Sequence, residues 1–551
     1  MKSLILRFED SVKSCWEQPA PNDFRHDTLT YADLAAEIET LRLLWSAAGL
    51  TAGEKVALNA HSSSHWITTF MAAVAGGYVG VQLFNGYTPR DTQHLVAHSD
   101  SKILYTEKSL FEKMDFETMP QLLGAIDMRS GELLASRGNF AELYASRHER
   151  FKARYPQGMQ PEDVAYVDRP MDDVCGINYT SGSTGNPKGV MLTVGNFCAN
   201  VDAILEERRF PYVRGERYLS ILPLAHIFGL TVDGITPLCV GMHLTILCVP
   251  PVPANLKAAL CEVKPRLLFA VPLMLSKMVE HTIGEFVHSH TGVERLAHAQ
   301  AHPEFCEALR TIFMAAFGGR CEAIVTGGAA IPPELESLLV KKLRIPFLTG
   351  YGMTECAPVI AMGSPHGHYK LKSCGETLAC YEVKINSKDP LNIAGELWVK
   401  GPCVFVGYYK NPEATAAAFT EDGWFRTGDL GTIDGDHTLF LVGRCKHMIL
   451  STNGQNIFPE EIEVLLNQYP YVAESLIVPR ENNRLIALIV PKQDQMISDA
   501  IDGTMLREIM ESNIAELNKQ IPQYSQVAGY ELQSEPFAKT PKGSIKRFMY
   551  S

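Results

Sequence analysis

Tyr179-Thr180-Ser181-Gly182-Ser183-Thr184-Gly185-Asn186-Pro187-Lys188-Gly189 is the stretch from which the rest of the chain can be read. Gly182, Gly185 and Gly189 permit backbone angles that other residues resist, so successive N–H groups can turn inward around an anion. Thr180, Ser181, Ser183 and Thr184 add hydroxyls, and Lys188 adds a positive charge. The combination predicts a cradle for a polyphosphate, set between two elements of a sheet. It is not a Walker A loop, because Lys188 is followed by Gly189 and Val190 rather than by Ser or Thr. A plain Gly/Ser connector is the competing reading; against it stand the Pro-Lys-Gly stop and a strand-like run on each side.

Outward from this loop, 551 residues allow two to four domains. An apolar fraction of 46% with 20% charged residues is that of a soluble globular chain. Fifty basic against 62 acidic residues leave a net charge of -12, which argues against nucleic acid as a partner and requires a local basic site for any anionic substrate. Thirteen scattered cysteines without a C-x-x-C pair indicate neither a disulfide framework nor a cysteine zinc site, and fit a reducing cytoplasm. The start, Met1 to Arg7, has too short an apolar core for a secretory signal, and no apolar run reaches the roughly 18 residues of a transmembrane helix. Peripheral membrane contact stays open.

Residues 1 to about 170 alternate helical spacing (34–50, 66–75) with short apolar runs (55–58, 78–84, 102–105), which predicts a parallel sheet flanked by helices. Residues 172–179 lead strand-like into the opening loop, 190–192 lead out, and 194–208 reads as a helix. The strand from Tyr218 runs into Leu222-Pro223-Leu224-Ala225-His226-Ile227-Phe228-Gly229; a lone histidine there fits a core or boundary role as well as a catalytic one. Between His288 and His302 stand four histidines, with His298 and His302 one helical turn apart, but no carboxylate or third ligand is fixed by spacing and a solvated helix or loop is expected. The βα alternation continues through 267–271, 272–281 and 323–325. Strand ends at Gly327-Gly328-Ala329-Ala330 and Gly350-Tyr351-Gly352-Met353-Thr354-Glu355 are where open α/β sheets admit ligands. A flat ring could lie on Tyr351, and Glu355 beside Thr354 could hold Mg²⁺, although a glycine turn with a solvated glutamate fits the same residues. From Gly395 short strands at 396–400, 407–409, 424–431 and 439–442 predict a small β subdomain, in which Asp429 suits either a ribose or a plain turn. Gly443 to His447 has the composition of a hinge. Helices at 459–469 and 505–519 with strands at 471–479, 484–491 and 530–532 then make a compact α+β unit. The expected fold class is therefore α/β: a large N-terminal domain, 1–445, of βα-layered sheets with the β subdomain, and a C-terminal α+β domain, 446–551.

Five motifs in this order, TSGSTGNPKG (180–189), LPLAHIFG (222–229), YGMTE (351–355), WFRTGDLG (424–431) and GRCKHMILSTNGQNIFPEEIE (443–463), resemble the adenylate-forming superfamily of acyl-CoA synthetases, luciferases and peptide-synthetase adenylation domains. Softer features, Phe317-Gly318-Gly319-Arg320 and the run from Ser451 to Glu463, are most similar to long- or medium-chain fatty acyl-CoA synthetases. The resemblance implies a fatty acid, ATP with Mg²⁺ and coenzyme A as reactants, with an acyl-AMP intermediate. It places Thr180 to Lys188 on the β and γ phosphates, Thr354 and Glu355 on phosphate and metal, and Tyr351 on adenine. Gly328 and Ala329 would line the nucleotide pocket, Asp429 and Arg444 would take the ribose, and His226 would stand near the acyl carboxylate. Lys446 would be the hinge about which the C-terminal domain moves, with Gly454 beside the pantetheine channel. Gly352 stands where acetate-specific members carry tryptophan, which implies space for a longer acyl group.

One position departs from the family. Its closing pattern, Thr-x-x-x-Lys-Ile/Val-x-Arg, aligned on Thr540, Ile545 and Arg547, puts Ser544 where the catalytic lysine is expected. In an extended segment Lys542 and Lys546 share Ser544's face, so either can substitute, Lys542 by preference. The alternatives are an acyl- or aryl-adenylate ligase that loads a carrier protein, or a catalytically impaired regulator that binds ATP or acyl-CoA.

Overall fold

The computed structural model describes residues 3–181, 187–206, 210–365, 367–450, 456–480, 484–540 and 544–550. Short apolar runs build its largest sheet. Lys55–Asn59, Val79–Gln82, Ile103–Thr106 and Gly124–Asp127 carry almost wholly buried side chains, as central parallel strands covered on both faces must. The eight-stranded order runs Gly407–Tyr408, Pro187–Thr193, Val174–Ser181, Val79–Gln82, Lys55–Asn59, Ile103–Thr106, Gly124–Asp127 and Leu133–Ser136. The five strands from Val174–Ser181 through Gly124–Asp127 pair in parallel, and Gly407–Tyr408 and Leu133–Ser136 pair antiparallel at the two edges. The flanking helices start where polar residues satisfy their free N–H groups: Thr30 caps Tyr31–Ala47 in a capping box with Asp33, Ser63 caps Ser64–Ala75 and Thr88 caps Pro89–His98.

A second sheet of five strands follows the order Leu267–Ala270, Ala323–Thr326, Phe347–Gly352, Val359–Met362 and Glu376–Thr377, the first three parallel. Helices Pro253–Val263, Pro272–His288 and Pro303–Ala316 each begin on a proline, whose missing N–H costs nothing at that position. Leu260, Leu275, Phe313 and Phe317 pack between these helices and the sheet. A small parallel sheet joins Asn22–Asp23, His243–Ile246 and Arg217–Ser220. All this belongs to one compact unit, residues up to 180, 187–382 and 400–417.

Residues 383–399 and 418–551 form the other unit. It contains a four-stranded sheet of Glu382–Asn386, Gly395–Lys400, Phe425–Ile433 and Leu439–Arg444, then a three-stranded sheet of Val472–Pro479, Leu485–Pro491 and Val527–Leu532. Against the latter pack Pro459–Leu466 and Gly503–Gln520 through Ile462, Leu466, Met510 and Leu517.

One local expectation changes. Gly407–Tyr408 does not join the small β subdomain; it pairs with Met191 and Val190 at the edge of the eight-stranded sheet. His298 and His302 are exposed at the two ends of the single 3-10 turn Ala299–Ala301, the solvated helix-or-loop setting expected of them. Among the described residues no group of three His, Cys, Asp or Glu could hold a metal ion, and no helix is long and apolar enough to cross a membrane.

Candidate active site

The strands that enter and leave the opening loop, Val174–Ser181 and Pro187–Thr193, are neighbours in the large sheet. Gly182, Ser183, Thr184 and Gly185 lie outside the described residues, as does the side chain of Ser181. Thr180 and Lys188 are half-buried at the strand ends. The Lys188 ammonium lies 4.7 Å from the centre of the Tyr408 ring, and the Tyr408 hydroxyl donates to Glu355 Oε1 at 2.9 Å. Burial, reinforced by the Glu355 carboxylate, pushes the Tyr408 phenol well above its ordinary range, so it remains a donor. Tyr408 reaches this place because its strand pairs with Val190, and the chain just before it is fixed by the Phe405 N–H on the Glu355 carbonyl, 2.8 Å. Lys188 and Glu355, 167 positions apart by their numbers in the sequence, thus share one aromatic neighbour. Tyr408 is absent from the sequence-derived site: only its Gly-Tyr-Tyr context marked a strand, and nothing in that spacing points to Glu355.

Gly328, Ala329, Tyr351 and Thr354 lie at or just beyond the carboxyl ends of strands Ala323–Thr326 and Phe347–Gly352 of the five-stranded sheet. Thr326 pairs with Thr349, which sets Gly327 beside Gly350: a Cβ at Gly327 would sit 3.1 Å from the Gly350 carbonyl and 3.4 Å from the Phe228 ring. Gly328 turns with φ +81°, and Gly328 and Ala329 are exposed at this edge, near half-buried Tyr351. Thr354 is buried at the start of the short helix that carries Glu355. Gly352 has a different cause from the one the resemblance implies. A Cβ there would meet the Pro358 carbonyl at 2.1 Å, so the glycine lets two backbone segments approach and does not leave a void where a side chain would be.

His226 sits in a loop between strand Arg217–Ser220 and the π-helix Gly229–Ile235, a rare element that recurs at functional sites. The backbone around it is tied from three elements. Asp233 Oδ2 accepts the N–H groups of Ile221 and Leu222, each at 3.1 Å, and Ser62 Oγ accepts that of Leu224 at 2.9 Å. Asn178 Nδ2, on the strand entering the phosphate loop, donates to the Ala225 carbonyl at 2.8 Å. The Phe228 N–H donates to His226 Nδ1 at 3.2 Å, so the neutral ring carries its proton on Nε2. Asp233 also accepts the Tyr218 hydroxyl at 2.7 Å, and burial holds its carboxyl at about 7 despite these donors. Neither Asp233 nor Asn178 bears a motif signature; both are legible only once the loop they hold is folded.

In the second unit Asp429 and Arg444 face each other across antiparallel strands, with Arg444 Nε 2.9 Å from Asp429 Oδ1. Asp429 is buried and the guanidinium is exposed, which presents a fixed donor fork over a carboxylate. Lys446 lies in the turn after this strand. Gly454 lies outside the described residues. Near the C-terminus the Thr540 N–H donates to the Ser544 carbonyl and the Lys546 N–H to the Ala538 carbonyl, both at 2.8 Å, and Lys539 bridges Ile545 in antiparallel fashion. Ile545 leans on the cluster of Leu476, Val478, Leu488, Val490 and Phe537, so alternation turns Ser544 and Lys546 to the other side. Ser544 is exposed. Lys542 lies outside the described residues. Arg547 is drawn to Glu463, whose carboxyl burial raises to about 6.

The family model described as AMP-binding enzyme matches residues 8–409, and the one described as AMP-binding enzyme C-terminal domain matches 446–550. Feruloyl-CoA synthase of an Amycolatopsis species is 30% identical over 515 residues, covering 92% of this chain and 91% of that protein. Long-chain-fatty-acid–CoA ligase 1 of Saccharomyces cerevisiae is 26% identical, covering 80% of this chain and 68% of its own length. Among solved structures, O-succinylbenzoate coenzyme A synthetase of Bacillus subtilis in complex with ATP and magnesium ion has a similar fold, with a TM-score of 0.73 at 22% identity and 98% of each chain covered.

Proposed function

Because the chain belongs to the AMP-binding enzyme family, we propose that it is an AMP-forming acid:CoA ligase whose acid is a fatty acid. The observation that carries the mechanism is the convergence of Lys188, Tyr408 and Glu355 at the ends of the strands that hold the phosphate loop. A carboxylate is too electron-rich for attack by a thiol and must first be activated. Its oxygen attacks the α-phosphorus of ATP, pyrophosphate leaves, and the thiol of coenzyme A then displaces AMP from the acyl-adenylate. Lys188 meets the charge that develops on the phosphate oxygens, while loop N–H groups and the hydroxyls of Thr180 to Thr184 cradle the leaving pyrophosphate. The Glu355 carboxylate, aimed by the Tyr408 hydroxyl, is a single hard oxygen donor of the kind that holds Mg²⁺ together with substrate phosphates, with Thr354 beside it. A Mg²⁺ ion held there would supply positive charge against the phosphate oxygens. Tyr351, Gly328 and Ala329 bound the adenine, and Asp429 with Arg444 takes the ribose. His226, with its proton on Nε2, donates toward the acid carboxylate.

Two chemistries at one site favour a C-terminal domain, 446–551, that turns about Lys446 between the half-reactions and brings Gly454 to the pantetheine in the second. The setting proposed is the cytoplasm. The feruloyl-CoA synthase relative favours a second reading, in which the acid is aromatic. A panel of graded fatty acids and hydroxycinnamic acids, assayed for ATP- and CoA-dependent AMP release, decides between them: highest kcat/KM on a hydroxycinnamate overturns the fatty-acid reading. Accumulation of acyl-adenylate with free CoA points instead to a carrier protein as acceptor, and ATP binding without AMP release from any acid points to the regulator.

Two further outcomes are expected. Asp429→Ala raises KM for ATP about tenfold, the loss of roughly one charge-assisted hydrogen bond, with a smaller change in kcat; steady-state kinetics at saturating acid check it. In pyrophosphate exchange Lys542→Ala is expected to fall about 100-fold and Lys546→Ala much less, while Ser544→Lys exceeds the wild type, because a cation on this face stabilises the adenylation transition state. Unchanged exchange in Lys542→Ala removes that lysine from the mechanism.

A further inference from the structure

Cys380 and Cys403 are 23 positions apart in the chain, yet their Sγ atoms lie 3.5 Å from each other. The backbones meet closely here: a Cβ at Gly401 would stand 2.4 Å from the Cys380 carbonyl oxygen. Both cysteines belong to the first unit, whereas 383–399, between them, belongs to the second. They therefore mark where the chain leaves the first unit and where it returns. The returning segment is anchored by Asn196, whose Nδ2 donates to the carbonyls of Pro402 at 2.8 Å and Val404 at 2.9 Å, and it continues to Tyr408 and its bond with Glu355. Cys403 is wholly buried and Cys380 half-buried, which gives the pair one face open to a small oxidant. Burial drives Cys175 and Cys321 up to about 12. At Cys403 the hydrogen bond from the Cys380 thiol outweighs burial and holds the group below its ordinary range.

We infer that Cys380 and Cys403 form a reversible thiol–disulfide site, oxidised by a peroxide and closed across the point where the chain departs from and re-enters the first unit. Along their hydrogen bond the Cys380 proton passes to the Cys403 sulfur, and the thiolate so left at the half-exposed Cys380 attacks one peroxide oxygen. The O–O bond breaks and the departing hydroxide takes up a proton as water. The Cys403 sulfur then attacks the Cys380 sulfenic acid; the S–O bond breaks, a second water leaves with the remaining thiol proton, and the S–S bond forms. The two thiols give up two electrons and two protons, and the peroxide accepts both.

The test uses the full chain treated with hydrogen peroxide, blocked with N-ethylmaleimide and digested with trypsin without reduction. Cleavage after Lys372, Lys384, Lys400 and Lys410 places Cys380 on 373–384, together with Cys374, and Cys403 on 401–410. Mass spectrometry is expected to find these two fragments joined, two hydrogens lighter than their sum, and separated by dithiothreitol. The link persists in Cys374→Ser and vanishes in Cys380→Ser. The assignment is overturned if the fragments stay unlinked while other cysteines become oxidised, or if the link survives Cys380→Ser. Should Cys380→Ser not fold, the Cys374→Ser variant still decides: loss of the link there overturns the assignment, and retention supports it.

Discussion

Glu355→Gln is expected to lower the rate of ATP-dependent AMP release by about 100-fold or more, with little change in thermal stability. Glutamine preserves volume and can still accept the Tyr408 hydroxyl, so the fold around residue 355 has no reason to change. What it removes is the negative charge that a divalent cation needs, and with it the neutralisation of the leaving pyrophosphate. Tyr408→Phe separates placement from charge. It leaves the carboxylate but deletes the hydroxyl that aims it, and the Phe405 bond to the Glu355 carbonyl still holds the backbone. A decrease of about tenfold is expected, with a raised magnesium requirement that excess Mg²⁺ partly restores. Pyrophosphate exchange across a magnesium titration checks both variants. Exchange within a few-fold of wild type in Glu355→Gln would take Glu355 out of the chemistry.

Asp233→Ala is expected to cost about 3 kcal/mol or more of stability and to raise KM for the acid. The carboxylate is wholly buried, and its loss strands the Tyr218 hydroxyl and the N–H groups of Ile221 and Leu222 away from water. Each stranded donor costs about 1–3 kcal/mol. Because those N–H groups fix the loop that carries His226, the damage reaches the acid site as well as the core. Asp233→Asn keeps an oxygen for the two N–H groups and leaves the Tyr218 hydroxyl to accept instead of donate. It should restore most of both losses.

The two variants also differ in pH dependence. Asp233 titrates near its ordinary 3.8 when unfolded and at about 7 when folded, with burial as the cause, so between those values the folded protein binds a proton that the unfolded chain does not. Stability from this group is fully present below about pH 4 and declines as pH rises toward 7, on the order of 1 kcal/mol per pH unit. Asp233→Asn does not titrate, so its stability relative to wild type is expected to improve steadily from pH 4 to 7. Urea denaturation across that range measures it, and a constant difference would show that Asp233 is not a titrating buried acid.

Local sequence was enough for the elements and the chemistry of single residues. Buried parallel strands such as 55–59 and 103–106 announce themselves because both faces must be apolar. The Gly/Ser/Thr loop ending in Lys188 carries its anion chemistry in residue type and spacing alone. The sheet decided what spacing could not. Tyr408 reads as one more residue of a β subdomain until strand pairing with Val190 carries it to Glu355, and Gly352 reads as an absent side chain until the Pro358 carbonyl occupies the place. Asp233 and Asn178 are unremarkable letters whose partners, the backbone groups at 221, 222 and 225, become neighbours only through the π-helix and the parallel strands. Cys380 and Cys403 belong to no motif, and 23 positions separate them until the chain returns. A hydrogen bond needs its two groups within about 3 Å, a separation that residue type cannot encode and that the packing of strands from distant parts of the chain alone provides.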